Sequence, residues 1–220
     1  MILVPVKNLA NAKQRLAHAL EQSARTELAQ AMLGDVLQAL AECGADEVSL
    51  VTSDSTAVEL ANLYRFGVIP DLSNLSETSA IEMATRACES RGIQSTLVVP
   101  ADIPLIEAAD IRTIYESAPV SGTVLVPSSD QRGTNAVLRR PVALFPLHFG
   151  NDSFMPHLLA AIATHRSCVV LSLPRIALDI DTPEDLQQLV NAPGEKRSQR
   201  LARKFGFSSA GEIRPAAVNP

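Results

Sequence analysis

The chain predicts an α/β protein built on one doubly wound, mostly parallel sheet. Three observations lead there. Strand-like and helix-like segments alternate through residues 1–120, the pattern of linked βα units. The strand candidates are short, β-branched apolar runs such as Leu97-Val98-Val99, which read as strands buried on both faces. The chemistry-bearing side chains then fall just past the ends of such runs, at the edge where open α/β sheets bind ligands.

Ile2–Val6 is the first strand, and residues 7–20 form a loop carrying Lys7, Lys13, Arg15 and His18. A long helix follows, with Ser23 as its expected cap and Gly44 at its end. Leu28, Met32 and Val36, with Leu33, Leu37 and Leu40, form its apolar face at 3.6-residue spacing. Glu47–Val51 is the second strand, Thr56–Phe66 a helix stopped by Gly67, and Val68–Pro70 a short third strand. After a loop over Asp71–Ser76, a helix spans Ser79–Ser90, and Thr96–Val99 is the next strand. Ala108–Ser117 is a helix, and Thr123–Val126 and Asn135–Leu138 are strands around the turn Asp130-Gln131-Arg132-Gly133. Their irregular spacing implies an antiparallel excursion near the active edge. Ser153–His165 is a helix and Cys168–Leu173 a strand. The final helix has Thr182 as N-cap, Pro183 at its first position and Asp185 in its first turn. We read residues 1–191 as one domain and residues 192–220 as a tail, with a short helix near Gln199–Phe205 and no core or motif of its own. Removal of residues 196–220 is therefore expected to leave folding and catalysis largely intact.

Composition narrows the function classes. Aromatics are 4% and Trp is absent, so a stacking platform for nucleic acid is not expected. The net charge of −5 argues against a general polyanion binder. Cys43, Cys88 and Cys168 are odd in number and widely spaced, as reduced thiols are, and imply neither a zinc site nor a disulfide frame. No signal peptide or membrane-length apolar run is evident, so the expectation is a cytoplasmic protein without membrane contact.

Three groups of residues carry chemistry. Lys7, Lys13 and Arg15 lie in the loop after the first strand, the phosphate-binding position of a βα unit. That loop lacks the glycines of a phosphate-cradling fingerprint, so side-chain cations must supply the neutralisation. Asp102 follows the central strand between Pro100 and Pro104, and Asp179 and Asp181, two apart in an extended segment, share one side. Gathering three carboxylates calls for a counter-cation, and Mg2+ prefers such oxygen ligands. Gly133-Thr134-Asn135 and Phe149-Gly150-Asn151-Asp152-Ser153-Phe154 are turns with small donors, and a helix opening at Ser153 suits an anion. Each group also has a plain structural reading: a solvated basic loop, a helix-capping carboxylate, or ordinary turn chemistry. His148 and His157 flank the second turn without metal-ligand spacing, and we assign them supporting or surface roles. Met83 and Cys88 read as core.

Taken together, Pro5-Val6-Lys7, Ala12-Lys13-Gln14-Arg15-Leu16, Pro100-Ala101-Asp102-Ile103-Pro104-Leu105, Gly133-Thr134-Asn135, Phe149–Phe154 and Leu178-Asp179-Ile180-Asp181-Thr182-Pro183 resemble the CofC/FbiD family, the guanylyltransferases of coenzyme F420 biosynthesis. The resemblance spans roughly residues 1–190. It implies a nucleotide-diphospho-sugar transferase-like (GT-A/Rossmann-like) fold, GTP as donor, Mg2+, and a small phosphorylated acid as acceptor: 2-phospho-L-lactate, phosphoenolpyruvate or 3-phospho-D-glycerate. It further implies metal ligation by Asp102, Asp179 and Asp181, acceptor contacts from Thr134, Gly150 and Ser153, and nucleotide phosphates facing Lys7, Lys13 and Arg15. Lys13, Arg15 and Asp102 are the expected catalytic residues. A homodimer, and transfer of the product to the next enzyme of the pathway, come from the same resemblance. Two departures stand out. Gln14 replaces the family's usual Ser, and Ser76-Glu77-Thr78 replaces a Gly-Leu-Asn stretch. The other functional readings of these residues are a nucleotidyltransferase of the same fold with another acceptor, such as a sugar phosphate or a molybdopterin, and a non-catalytic nucleotide or metabolite sensor.

Overall fold

In the computed structural model, residues 1–45, 47–72, 75–150 and 152–208 are described. Seven strands form one sheet: β1 (Ile2–Pro5), β2 (Val48–Val51), β3 (Gly67–Ile69), β4 (Thr96–Val98), β5 (Gly122–Pro127), β6 (Thr134–Arg140) and β7 (Ser167–Val170). Their order is β3-β2-β1-β4-β6-β5-β7. The β3-β2-β1-β4 half and the β5-β7 pair are parallel, and β6 runs antiparallel to both neighbours. The antiparallel excursion expected after Thr123 is therefore β6.

Alternation along each strand builds a core on both faces. Ile2 and Val4 join one apolar cluster with Leu33, Val36, Leu37 and Leu40 of α1 (Gln22–Glu42) and Ile111 and Ile114 of α4 (Ala108–Glu116). Leu3 and Val98 join the opposite cluster with Ile81, Ala84 and Cys88 of α3 (Glu77–Ser90) and Phe154 and Ala161 of α5 (Phe154–Ala163). α2 (Ser55–Leu63) packs Ala57 and Ala61 onto the first face.

Local chemistry set several helix starts differently from the sequence reading, among them that of α3, which opens at Glu77 behind its N-cap Ser76 rather than at Ser79. Ser23 lies inside α1, whose N-cap is Glu21 without a side-chain cap. α2 begins at Ser55 because the carboxylate of Asp54 accepts from the Ala57 N–H at 3.0 Å. The strand expected over Cys168–Leu173 ends at Val170, and Pro174–Ala177 forms a single-turn helix, α6. α7 (Pro183–Asn191) starts as the sequence implied: Thr182 accepts from the Asp185 N–H, and Asp185 accepts from the Thr182 N–H at 2.8 Å.

Residues 197–204 form α8 (Arg197–Lys204). It docks on α1 through Asp35, whose carboxylate accepts from the N–H groups of Arg197 (3.0 Å) and Ser198 (2.9 Å) and from the Ser198 hydroxyl (2.7 Å). Ser198, Gln199 and Ala202 are fully buried. The segment read as a tail without a core is thus packed on the domain: a carboxylate of α1 caps a helix 162 residues away. Residues 209–220 of the expected tail lie outside the described residues.

The fold positions the site at one place. β1, β2 and β3 build outward in one direction and β4 lies on the other side of β1, so the strand order reverses between β1 and β4. Loops leaving the carboxyl ends of those two strands must diverge there and leave a crevice.

Candidate active site

The loop after β1 is pinned at its apolar residues. Leu9 is buried against the sheet, and Leu16 sits in a third cluster with Leu105, Leu178, Ile180 and Leu186. Between them the chain makes two short 3-10 turns, Leu9–Asn11 and Gln14–Leu16. Lys13 opens the second with φ 56°, left-handed backbone that a lysine adopts only when its surroundings impose it.

That conformation delivers the ammonium of Lys13 to a buried position, where it donates to Asp102 Oδ2 at 2.7 Å and to Asp181 Oδ1 at 2.9 Å. Asp102 stands in the turn after β4. Its carbonyl accepts from the Ile180 N–H at 3.0 Å, which draws the 178–182 segment alongside. Ile180 is fully buried in the third cluster, so Asp179 and Asp181 turn together to the other side and line the same cavity, as their spacing implied. Arg15 adds a longer, exposed contact to Asp181 at 3.4 Å.

The charges settle accordingly. Burial works against the charged form of Lys13, but Asp102 and Asp181 outweigh it and hold its pKa above the ordinary lysine range. Burial also opposes ionisation of Asp181, and Lys13 and Arg15 overcome that and hold its carboxyl low. Asp179 goes the other way: burial raises its pKa, helped by Asp102 and Asp181, against a hydrogen bond from Asn135 Nδ2 at 3.0 Å. Glu77, at the first position of α3, faces the same charges. Burial, then Asp102, push its pKa up to about 7, with Lys7 and Lys13 opposing. Glu77 was noted in the sequence only as a departure from a motif. Its signal was its place at the start of a helix bordering the sheet's carboxyl edge.

Lys7 is drawn to Asp71, a buried carboxylate after β3, at 2.6 Å. It lines the basic-loop cavity beside Lys13 and acts on Glu77 from there.

Across the cleft, Thr134, Ser153 and His157 form one buried network. The Thr134 N–H donates to Ser153 Oγ at 3.0 Å, and the Ser153 hydroxyl lies 3.3 Å from Thr134 Oγ1. His157 Nδ1 lies 2.9 Å from Thr134 Oγ1, and its Nε2 accepts from the His148 N–H at 2.8 Å. The donors expected at this helix start are partly engaged: the Phe154 N–H bonds to Arg132 O at 2.9 Å, Pro156 has no N–H, and the Gly133 N–H bonds to Ser128 Oγ at 2.7 Å. Gly150 has φ +133°, which side-chain-bearing residues rarely adopt, although a Cβ there would meet open space. The Arg132 guanidinium clips its turn to Asp152. Asn151 lies outside the described residues.

Two cavities result. One, of about 480 Å³, is lined by Thr134, Gly150, Ser153 and Asp179 among others. The second, of about 440 Å³, is lined by Lys7, Asn8, Lys13 and Gln14. They share one wall: Arg15, Glu77, Pro100, Asp102 and Asp181. Every charged residue of that wall belongs to the cluster around Lys13.

No three His, Cys, Asp or Glu side chains among the described residues are gathered in a metal-binding arrangement. The donor set nonetheless fits Mg2+. Hard carboxylate oxygens at Asp102, Asp179 and Asp181 face one cavity, where burial first, and the neighbouring carboxylates after it, push the pKa of Asp179 up. Mg2+ is commonly held by one or two carboxylates with substrate phosphates and water completing its shell, so a preassembled triad is not required.

A family model described as guanylyl transferase CofC like matches residues 1–217. Among curated relatives, a phosphoenolpyruvate guanylyltransferase of Roseiflexus castenholzii is 36% identical over 203 residues, covering 92% of this chain and 93% of the relative. A 2-phospho-L-lactate guanylyltransferase of Methanothermobacter thermautotrophicus is 30% identical over 206 residues, covering 94% and 91%. Among solved structures, a putative nucleotide-diphospho-sugar transferase from Desulfovibrio desulfuricans superposes with a TM-score of 0.76 over 92% of this chain and 93% of that one, at 19% identity, which speaks to the fold.

Proposed function

The chain belongs to the CofC-like guanylyl transferase family, and from that premise we propose that its two cavities hold GTP and a small phosphorylated acid, one on each side of Asp102 and Asp181. The observation that carries this reading is the shared wall. A transfer between two substrates needs two pockets meeting where charge develops, and here they meet at Asp102 and Asp181, the pair that Lys13 bridges from the second cavity.

The reaction is attack by a phosphate oxygen of the acceptor on the α-phosphorus of GTP. The bond to the β-phosphate breaks, pyrophosphate leaves, and the product carries a new diphosphate linkage. The acceptor phosphate is already anionic at neutral pH, so no general base is needed. This suits a site whose one buried histidine is held as a neutral hydrogen-bonding group. Lys13 and Arg15 place positive charge beside the transferring phosphoryl group, and Lys7 borders the same nucleotide cavity. Thr134, Gly150 and Ser153 border the acceptor cavity. Mg2+, held by Asp102, Asp179 and Asp181, would supply neutralisation of the phosphate charge when bound.

We assign the acceptor to the class of three-carbon phosphorylated acids: phosphoenolpyruvate, 2-phospho-L-lactate or 3-phospho-D-glycerate. Product transfer to the next enzyme of coenzyme F420 biosynthesis belongs to the same proposal. So does a homodimer, supported by the exposed apolar residues Met155, Leu159 and Ile162 at helical spacing on α5; light scattering reporting a monomer would contradict it. The functional test is GTP with Mg2+ and each acceptor in parallel, with products read by mass. Acceptor-dependent pyrophosphate release with one guanylylated acid is expected. Preference for another nucleoside triphosphate, or nucleotide binding without pyrophosphate release under any acceptor, would contradict the reading.

A further inference from the structure

We propose that His157 is a positioning residue for acceptor capture: it fixes the Thr134 hydroxyl as a pure hydrogen-bond donor toward an anion in the acceptor cavity. The inference rests on the assignment of the acceptor to the Thr134 cavity made above.

The wiring follows from donor and acceptor counting. The His148 N–H is a donor, so the nitrogen it meets, His157 Nε2 at 2.8 Å, carries no proton. A neutral imidazole then carries its proton on Nδ1, and burial, with His148 and Arg139 nearby, keeps the ring neutral with a pKa of about 4. The Nδ1–H therefore donates to Thr134 Oγ1 at 2.9 Å. The opposite arrangement, a Thr134 hydroxyl donating to Nδ1, would set an Nε2–H against the His148 N–H. Ser153 supplies the second partner. Its Oγ accepts the Thr134 N–H at 3.0 Å, and its own proton points to Thr134 Oγ1 at 3.3 Å. Thr134 Oγ1 thus accepts from two donors, and both of its lone pairs are engaged. What remains is one O–H on a side chain lining the acceptor cavity, able to donate and not to accept.

Such a hydroxyl favours a carboxylate or phosphate oxygen over a neutral ligand that must itself donate. It also reaches the bound state without rotor freedom to lose, because its acceptor side is already fixed. The imidazole is held to this geometry from several sides. His157 is fully buried, the Phe149 ring meets it edge-on at 5.2 Å, and the Phe145 ring lies 6.5 Å away. A residue with a donor at one end and an acceptor at the other, rigid between them, is what this position uses.

The test is a two-substrate kinetic matrix on the full chain, with phosphoenolpyruvate as acceptor probe and GTP varied independently. His157→Gln keeps an acceptor near the Nε2 position for the His148 N–H and loses the donor to Thr134. His157→Asn keeps a donor near the Nδ1 position. The expected result for His157→Gln is a rise in the acceptor KM of roughly 3- to 10-fold, the effect of one hydrogen bond, with the GTP KM unmoved. His157→Asn should recover most of the loss. In a Thr134→Val background, which alone is expected to raise the acceptor KM, His157→Gln should add nothing further. An unmoved acceptor KM in His157→Gln, or an effect that adds in full to Thr134→Val, overturns the inference while leaving the acceptor cavity standing. An unmoved acceptor KM in Thr134→Val removes the cavity assignment and this inference with it. If the buried substitutions do not fold, long-range 1H–15N spectra of the wild-type imidazole decide: an Nδ1–H tautomer for His157 supports the wiring, and an Nε2–H tautomer overturns it.

Discussion

Lys13 is the residue on which the two halves of the cleft depend. Its ammonium is the only cation among the described residues that bonds both Asp102 and Asp181, and strained backbone holds it there. Lys13→Ala is expected to lower turnover by on the order of 10²–10³, the usual loss for one electrostatic contact to a developing charge. The two carboxylates are each about one-third exposed and rehydrate, so the melting temperature should move by only a few degrees. Asp102→Asn keeps the shape and removes a charge from the shared wall, and a loss of similar size is expected. Near-wild-type turnover in Asp102→Asn at saturating Mg2+ would remove the metal and catalytic roles given to that carboxylate. Glu77 gives a pH signature. Its carboxyl titrates near 7 when folded against 4.5 as its ordinary value. Between those values the folded state keeps a proton that the unfolded state has lost, so Glu77 makes stability fall as pH rises through that window. His157, at about 4 against 6.5, acts in the opposite sense and makes stability rise between those values. The whole-protein profile mixes the two, so the measurement is the difference between wild type and Glu77→Gln without nucleotide or metal. The variant should match wild type near pH 4 and melt higher at pH 8; a constant difference across that range would show that Glu77 does not titrate as described.

At the scale of elements, α8 and the loop after β1 show what periodicity conveys and what it does not. The apolar face of α1 was legible because Leu28, Met32, Leu33, Val36, Leu37 and Leu40 repeat at helical spacing and are all fully or nearly fully buried. The docking of α8 was not legible, because polar groups make it. Asp35 accepts from two backbone N–H groups and a hydroxyl at the start of α8, and nothing local marks an aspartate in mid-helix as a cap for a distant segment. Asp35→Asn is expected to cost about 1–3 kcal/mol, the price of weakening bonds to a buried charged acceptor, and deletion of residues 196–220 should cost more. Thermal melts of both variants check this, and a melting temperature unchanged by the deletion would show α8 to be an ornament on α1. The basic loop was legible as part of the cleft from its place after β1. The bridge made by Lys13 was not, because its partners lie 89 and 168 residues away in sequence.

At the scale of the molecule, the order β3-β2-β1-β4 opens a crevice between β1 and β4, and antiparallel β6 carries Thr134 and Asn135 to its far side. The alternation of strands and helices made the parallel half readable. β6 was foreseen as the short strand Asn135–Leu138 in an antiparallel excursion, but its full span and its place between β4 and β5 were not, since an antiparallel insertion needs no crossover helix and leaves a weaker sequence pattern. His157 was readable only as a histidine with a supporting or surface role; its burial and its tautomer, which depends on the His148 N–H, come from the fold. The two cavities are proposed to hold different substrates on either side of Asp102 and Asp181. The measurement that tests it most directly is the pair of KM values, for GTP and for phosphoenolpyruvate, in Lys13→Ala and Thr134→Val. The expected result is a crossed pattern, with Lys13→Ala impairing GTP use and Thr134→Val raising the acceptor KM several-fold while leaving the GTP KM in place. A selective rise of the GTP KM in Thr134→Val, with the acceptor KM unmoved, would contradict it and exchange the two substrates.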